Sequence, residues 1–418
     1  MNHSGYPASS LDLEIWDTLY ALAMRIYNLA PWDTFRENDY ISVEHPNIFP
    51  GDAKEMIYCA AIAKESAADE SCEMSTQGKN NAAEIEDGIS LSALTMKENS
   101  FFSLEARCAV AVFAGNDSLC RMERLRRRAM AGVPFPALGE QDCLVCFYGK
   151  KESISTYDLE IQSSLGIDFS DQAESMYFRS IKQNSLPEYL NKNEALLLSE
   201  TLSQYIKAIE DFNNGFKADF RRGDMLVRKI KTDGLIPPDS NGETGTAKES
   251  FETVLANKKQ IHFKRNKIIV QDELYLARLK QGAWELKASL ISQGIPMPHG
   301  GDLEIDIISI PAPVQENKSE SPYFVRVLLI ADIRLGILTD EKFIYRGDNT
   351  VKVVFDTLKE VILEEYFPRS LHVRDAEMGD ILEDFCRKLD IRLVYGYSMP
   401  TIDSSIAELI AKLENNYN

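Results

Sequence analysis

The chain is short of positive charge: 46 lysines and arginines stand against 65 acidic side chains over 418 residues, a net charge of −19. That balance repels phosphate backbones and anionic membrane surfaces, which argues against a generic nucleic-acid or membrane binder. Cysteine is sparse and odd in number, seven in all, so the paired framework of a secreted disulfide scaffold is excluded. No apolar run nears the roughly 18 residues that would span a bilayer. The opening MNHSGYPASS has no apolar h-region. GxGxxG, the P-loop pattern, HExxH and the GxSxG elbow are all missing, and the five histidines (His3, His45, His262, His299, His372) are scattered. Without that elbow, His299-Gly300-Gly301 reads as a turn. These absences point to a cytoplasmic protein with reduced thiols and no nucleotide cradle.

What is present suffices for real cores: 44% of residues are hydrophobic and 27% charged. The acidic excess sits in residues 1–140 and 300–418, while the middle is nearly neutral. Residues 65–100 are polar, acidic and poor in aromatics, too weakly apolar to offset ordering entropy. Residues 232–250 stack Pro, Gly, Asn and Ser into a breaker cluster. The expected division is an N-terminal α+β domain over 1–215 with a disordered acidic insertion at 65–100, a bridging segment over 216–299 with a flexible 232–250 loop, and a C-terminal domain over 300–418.

In the first part, Leu13, Trp16, Leu19, Tyr20, Ala23, Ile26 and Tyr27 follow helical spacing behind a Ser9 or Ser10 cap. The helix must stop near Pro31. Strands are predicted at 40–44, 56–63, 106–114 and 142–148, with helices at 117–130, 155–165 and 191–213. The middle offers a strand at 267–270 and a helix over 271–293. From Gly301 the punctuation is clean. Strands fall at 303–310 (closed by Pro311 and Pro313), 323–331 and 337–345, the last two joined by a hairpin shaped by Asp332. A helix over 349–366, strand 370–375, helix 377–389, strand 391–396 and helix 403–415 follow. The order is β-β-β-α-β-α-β-α, a mixed sheet with helices on its faces.

That order, with DLEIDIISIP, YFVRVLLIADIRLGILTDEKF and SLHVRDAEMGDILEDFCRKLDIRLV, resembles the ribonuclease H-like core of integrases and transposases. The resemblance implies carboxylates on the first strand, at the end of the fourth strand and on a C-terminal helix: Asp306, Asp375 and Glu408. Three such groups would hold Mg²⁺ or Mn²⁺ for phosphodiester chemistry. The chain departs from the family at Arg374-Asp375-Ala376-Glu377, where a small polar residue and glycine are usual, and no helix-turn-helix or zinc module precedes the core. The end segments also resemble bacterial two-domain proteins of unknown function that pair a "helix, LAPW, sheet" domain with this one. The core is therefore read as degenerate.

Each candidate residue also has a plain structural role. Asp306 sits in a strand, where aspartate is uncommon, and hydrogen bonding accounts for it as well as metal ligation. Asp375 suits a helix N-cap, and Glu408 a solvated helix face. Cys143 and Cys146 lack a second pair to complete a zinc site and read as buried thiols on opposite strand faces. The basic clusters 121–128 and 258–267 read as a helix end and a solvated strand face, the second also offering weak anion or RNA contact. Trp16, Trp32 and Trp284 are expected as core anchors. The resulting functional expectation is a non-catalytic protein that acts through a protein partner or small ligand, with no cofactor, no membrane and no nucleic acid. The alternative is a Mg²⁺- or Mn²⁺-dependent nuclease or strand-transfer enzyme using Asp306, Asp375 and Glu408.

Overall fold

The computed structural model describes residues 13–36, 39–44, 56–63, 106–130, 141–150, 154–167, 174–231, 250–261, 267–293, 301–317, 321–364, 367–396 and 398–417. The 65–100 insertion, Ser9, Ser10, His299, Gly300, most of 232–250 and residues 262–266 lie outside them. The chain is a mixed α+β protein with two mixed sheets in two compact units. The first takes in the described residues up to Met122, of Gln141–Lys182 and of Pro187–Phe263. The second takes in those of Glu123–Glu140, Gln183–Leu186 and Lys264–Asn418.

The first unit follows the apolar periodicities. Helix α1 (Leu13–Leu29) buries Trp16, Leu19, Tyr20, Ala23 and Ile26, one stripe at i, i+3, i+4 spacing. It ends where Ala30 turns left-handed (φ 44°) and Pro31 opens a short 3₁₀ turn. Strands β1 (Ile41–Glu44), β2 (Met56–Ala63) and β3 (Ala106–Ala114) precede helix α2 (Gly115–Met130). Then come β4 (Cys143–Lys150), α3 (Thr156–Ser164), β5 (Glu174–Ile181), α4 (Lys192–Asn213), β6 (Asp224–Ile230) and β7 (Phe251–Asn257). The sheet runs β5-β4-β3-β2-β1-β6-β7. Only β1 and β6 pair in parallel.

Helices α3 and α4 start on capping boxes, Ser155 with Asp158 and Asn191 with Glu194. Asp158 also receives both guanidinium nitrogens of Arg179, at 2.9 and 2.7 Å. The Arg179 guanidinium carbon lies 4.6 Å from the Tyr189 ring centroid and 5.0 Å from that of Tyr177. Cys143 and Cys146 are both buried in β4, with Cys146 in the core under α1 and α4. Burial pushes the Cys146 thiol up to about 12 and that of Cys143 higher still.

The second unit contains α5 (Glu273–Ser292), β8 (Asp302–Val314), β9 (Tyr323–Asp332), β10 (Ile337–Ile344) and α6 (Thr350–Glu364). It continues with β11 (Ser370–Val373), α7 (Ala376–Leu389), β12 (Arg392–Tyr395) and α8 (Pro400–Tyr417). Its sheet runs β10-β9-β8-β11-β12. Strands β8, β9 and β10 form an antiparallel meander, and β11 runs parallel to both β8 and β12. One face, with Leu303, Ile305, Leu328 and Ile330, packs under α5, α6 and α7. The other presents Ile308, Val327, Leu329 and Ala331 to Met399, Ile402 and Ile406 around α8. Asp332 shapes the β9–β10 turn by accepting the Leu335 N–H at 2.8 Å. At the sheet edge, β10 carries Asp340, Glu341 and Lys342 in its centre, with Lys342 reaching Glu360 of α6 at 3.1 Å.

Four sequence expectations change. Strands β5, β6 and β7 were not anticipated, and the last two place part of the 216–299 segment in the first sheet. Residues 267–270 form no strand, because α7 side chains and backbone take their hydrogen bonds. The Ile268 N–H donates to the Asp380 carbonyl, the Val270 N–H to Asp384, and the Val270 carbonyl accepts from Lys388. Strand β8 runs past its prolines to Val314. Its pairing with β11 ends at Ile305, so no ladder partner on that side needs the missing N–H groups. Trp284 is no core anchor: it is 69% exposed. At 3.6 residues per turn it sits about 140° around α5 from buried Leu279.

Leu202, fully buried on α4, tests the first core. Leu202→Ala is expected to cost about 2–5 kcal/mol in urea unfolding; a loss under about 1 kcal/mol would show that the site is not packed as described.

Candidate functional site

The sequence-derived acidic residues meet the structure along the seam where β8 and β11 run side by side. Parallel pairing sets Ser370 against Asp302 and His372 against Glu304. Because strand side chains alternate, Asp302, Glu304 and Asp306 share one face with Ser370, His372 and Arg374. This is the face that α8 covers, and it carries a polar ladder where a sheet would ordinarily bury aliphatic side chains.

Each rung is satisfied. At the outer end, Asp302 accepts from Arg369 and from the Ser370 hydroxyl. Those partners, the Arg369 hydrogen bond foremost, hold its carboxyl below the usual aspartate value. His372 Nε2 lies 3.1 Å from Ser370 Oγ, and burial lowers the ring's pKa below that of free histidine. In the middle, Glu304 accepts the Ile402 N–H at 2.8 Å, which fixes the first turn of α8 to the sheet. Burial raises the Glu304 carboxyl above its ordinary value and nearby Asp403 adds to this; N–H groups of Ile402 and Thr401 and the charge of Arg374 pull the other way. At the inner end, the fully buried Arg374 guanidinium donates from Nε to Asp306 at 2.8 Å and from Nη2 to Asp403 at 2.6 Å. Burial opposes the arginine's charge, but Asp306 and Asp403 outweigh it and hold the side chain protonated.

Two of the three sequence-derived residues lie near one another, each with its own partners, and the third lies apart. Asp306 is 2% exposed and ion-paired with Arg374. Asp375 caps α7, accepting the N–H groups of Glu377 and Met378 at 3.1 and 3.2 Å, and lies 3.8 Å from the Arg124 guanidinium. Glu408 is exposed on α8. Asp306 and Asp375 line one recess of about 40 Å³ together with Arg124, Arg326 and Glu377, while Glu408 does not. Among the described residues, no group of three or more His, Cys, Asp or Glu side chains is arranged to hold a metal ion.

Sequence reasoning missed Glu304, Arg374 and Asp403. The available signal was the matched alternation D-x-E-x-D in DLEIDI and S-x-H-x-R in SLHVR, two polar rows at strand spacing. A separate mostly apolar groove of about 510 Å³ is lined by Val270, Tyr275, Val351 and Phe355, with Asp272 and Asp356 beside them. No helix among the described residues is long and apolar enough to cross a membrane.

Comparison with known proteins assigns two domains without assigning chemistry. Residues 103–228 match the model of a domain of unknown function, DUF7309. Residues 292–410 match that of a second, DUF6930. The curated proteins provide no match to the chain.

The inner rung gives a direct test. Arg374→Met leaves the Asp306 carboxylate buried without its counter-charge and is expected to cost about 3–5 kcal/mol. Adding Asp306→Leu should recover most of that loss in urea unfolding of the second unit, because the pair is then removed together. Equal losses in the single and double variants would refute the pairing.

Proposed function

We propose that the protein acts by binding, without catalysis, and that its second unit is a ribonuclease H-like domain whose acidic positions serve structure. The strand order β10-β9-β8-β11-β12, with a meander of three and two parallel strands added beside the first, supports the fold reading. On this reading Asp306, in the first strand, and Asp375, just past the fourth, correspond to two of the resemblance's acidic positions.

The observation that carries the functional reading is the buried guanidinium between Asp306 and Asp403. Two-metal phosphodiester chemistry needs carboxylates with open lone pairs for cations. Here a fixed organic cation takes the charge of Asp306, and the α7 N-terminus takes that of Asp375. The protein's net −19 adds long-range repulsion of a polyanionic substrate. On this reading Mg²⁺ and Mn²⁺ are not required, nucleic acid is not the partner, and the work is done by contacts with protein in the cytoplasm.

Incubation with single- and double-stranded DNA and RNA oligonucleotides, in Mg²⁺ and then Mn²⁺, is expected to leave every substrate intact. Cleavage by the wild-type protein that disappears in Asp306→Asn would overturn the proposal and favour a divalent-metal nuclease.

A further inference from the structure

Helix α5 is amphipathic twice over. Its inward stripe, Tyr275, Leu276, Leu279, Gly282, Ala283 and Leu286, is buried or partly buried. Leu276, Leu279, Tyr275 and Ala283 join the core of the second unit. The opposite face repeats every three and four residues: Leu274, Ala277, Gln281, Trp284, Ala288 and Ile291, all exposed. Leu274, Trp284 and Ile291 are 71, 69 and 59% exposed. A 3-4-3-4-3 spacing over 18 residues is the a/d seam of a coiled coil, with Leu274, Gln281 and Ala288 at a and Ala277, Trp284 and Ile291 at d.

We propose that this seam is a homodimer interface in which α5 of a second copy packs alongside in parallel. Charge complementarity selects both the partner and its direction. The g positions are Glu273, Lys280 and Lys287, and the e positions Arg278, Glu285 and Ser292. In a parallel pair each g side chain faces the e side chain five residues on in the other helix. Glu273 then meets Arg278, and Lys280 meets Glu285, each pair twice by symmetry, while Lys287 meets uncharged Ser292. No like charges face each other. An antiparallel pair keeps Arg278 against Glu285 but sets Lys280 against Lys287. Small Ala288, in the layer after Trp284, leaves space for the indole rings. Gln281 at a central a position supplies the polar layer that fixes register and strand number.

The helix needs no partner in order to form, since its inner stripe already docks it, so dimerisation costs little ordering. The seam gives the binding reading a partner, a second copy of the chain. It rests on the geometry of α5 and is independent of whether Asp306 can support cleavage. Failure of the dimer would leave the non-catalytic reading intact, and nuclease activity would leave the dimer intact.

Sedimentation equilibrium on the full chain is expected to give twice the 47.2 kDa protomer mass at tens of micromolar. Trp284→Glu should return the protomer mass with an unchanged circular dichroism spectrum. Arg278→Glu alone should do the same by setting Glu273 against a new acid. The double reversal Glu273→Lys with Arg278→Glu should restore the dimer, because the two charges exchange places. A wild-type protomer mass throughout, or a dimer insensitive to Trp284→Glu, would overturn the proposal. A dimer lost in Arg278→Glu and not restored by the double reversal would overturn its parallel direction.

Discussion

The second unit depends on how it accommodates charge inside a sheet. A guanidinium and two carboxylates drawn from water cost several kcal/mol per ion unless geometry and hydrogen bonds repay it. Here the repayment comes from three elements meeting at one point: Asp306 from β8, Arg374 from the end of β11 and Asp403 from the first turn of α8. The ladder works only with all three in position. It therefore fixes the β8–β11 register and the placement of α8 together, while Glu304 adds a backbone contact to the same helical turn. Aliphatic packing around Met399, Ile402 and Ile406 is permissive by comparison, since apolar contacts tolerate sliding where ion pairs do not. Specificity of arrangement is the role that best suits such a network.

The first unit solves a similar problem with one arginine. Arg179 lies between two tyrosine rings and closes on Asp158, which is also the third residue of a capping box. One buried carboxylate thus links the start of α3 to the interior of β5. In both units the buried charge stands where a helix begins, at the group of N–H donors most in need of an acceptor. In both, the charges are spent on holding elements in place.

Much of this architecture was legible beforehand. Helix α1, strands β1 to β4, and every element from β8 to α8 follow from period and punctuation, because each is a helical apolar stripe or a short apolar run with a breaker at its end. Strands β5 and β6 have little alternation in ESMYFRSI and DMLVRKI; β5 takes its strand character from β4 alone, at the sheet edge, and β6 from β1 and β7 on either side. Lys267–Val270 looks like a strand, yet its backbone partners lie on a helix more than a hundred residues further on, at Asp384 and Lys388. The same distance problem hid the meaning of Asp306. Its identity and strand position were plain, but Arg374 and Asp403 come to it only through sheet order. Trp284 misled because residue type alone argues for burial, whereas its phase on the helix, about 140° from buried Leu279, argues for exposure.

The rim of the second sheet carries one further consequence. Strand β10 ends that sheet with Asp340, Glu341 and Lys342 at its midpoint. Suppose an identical molecule approached to extend the sheet across a perpendicular dyad. Any alignment that used most of the strand would lay one of those three ionised groups directly opposite its own symmetry mate. Acid would confront acid or ammonium confront ammonium, with no slip by two residues offering relief. Lateral stacking into ribbons is penalised at every step, even though the rim exposes the apolar side chains of Ile337 and Phe343.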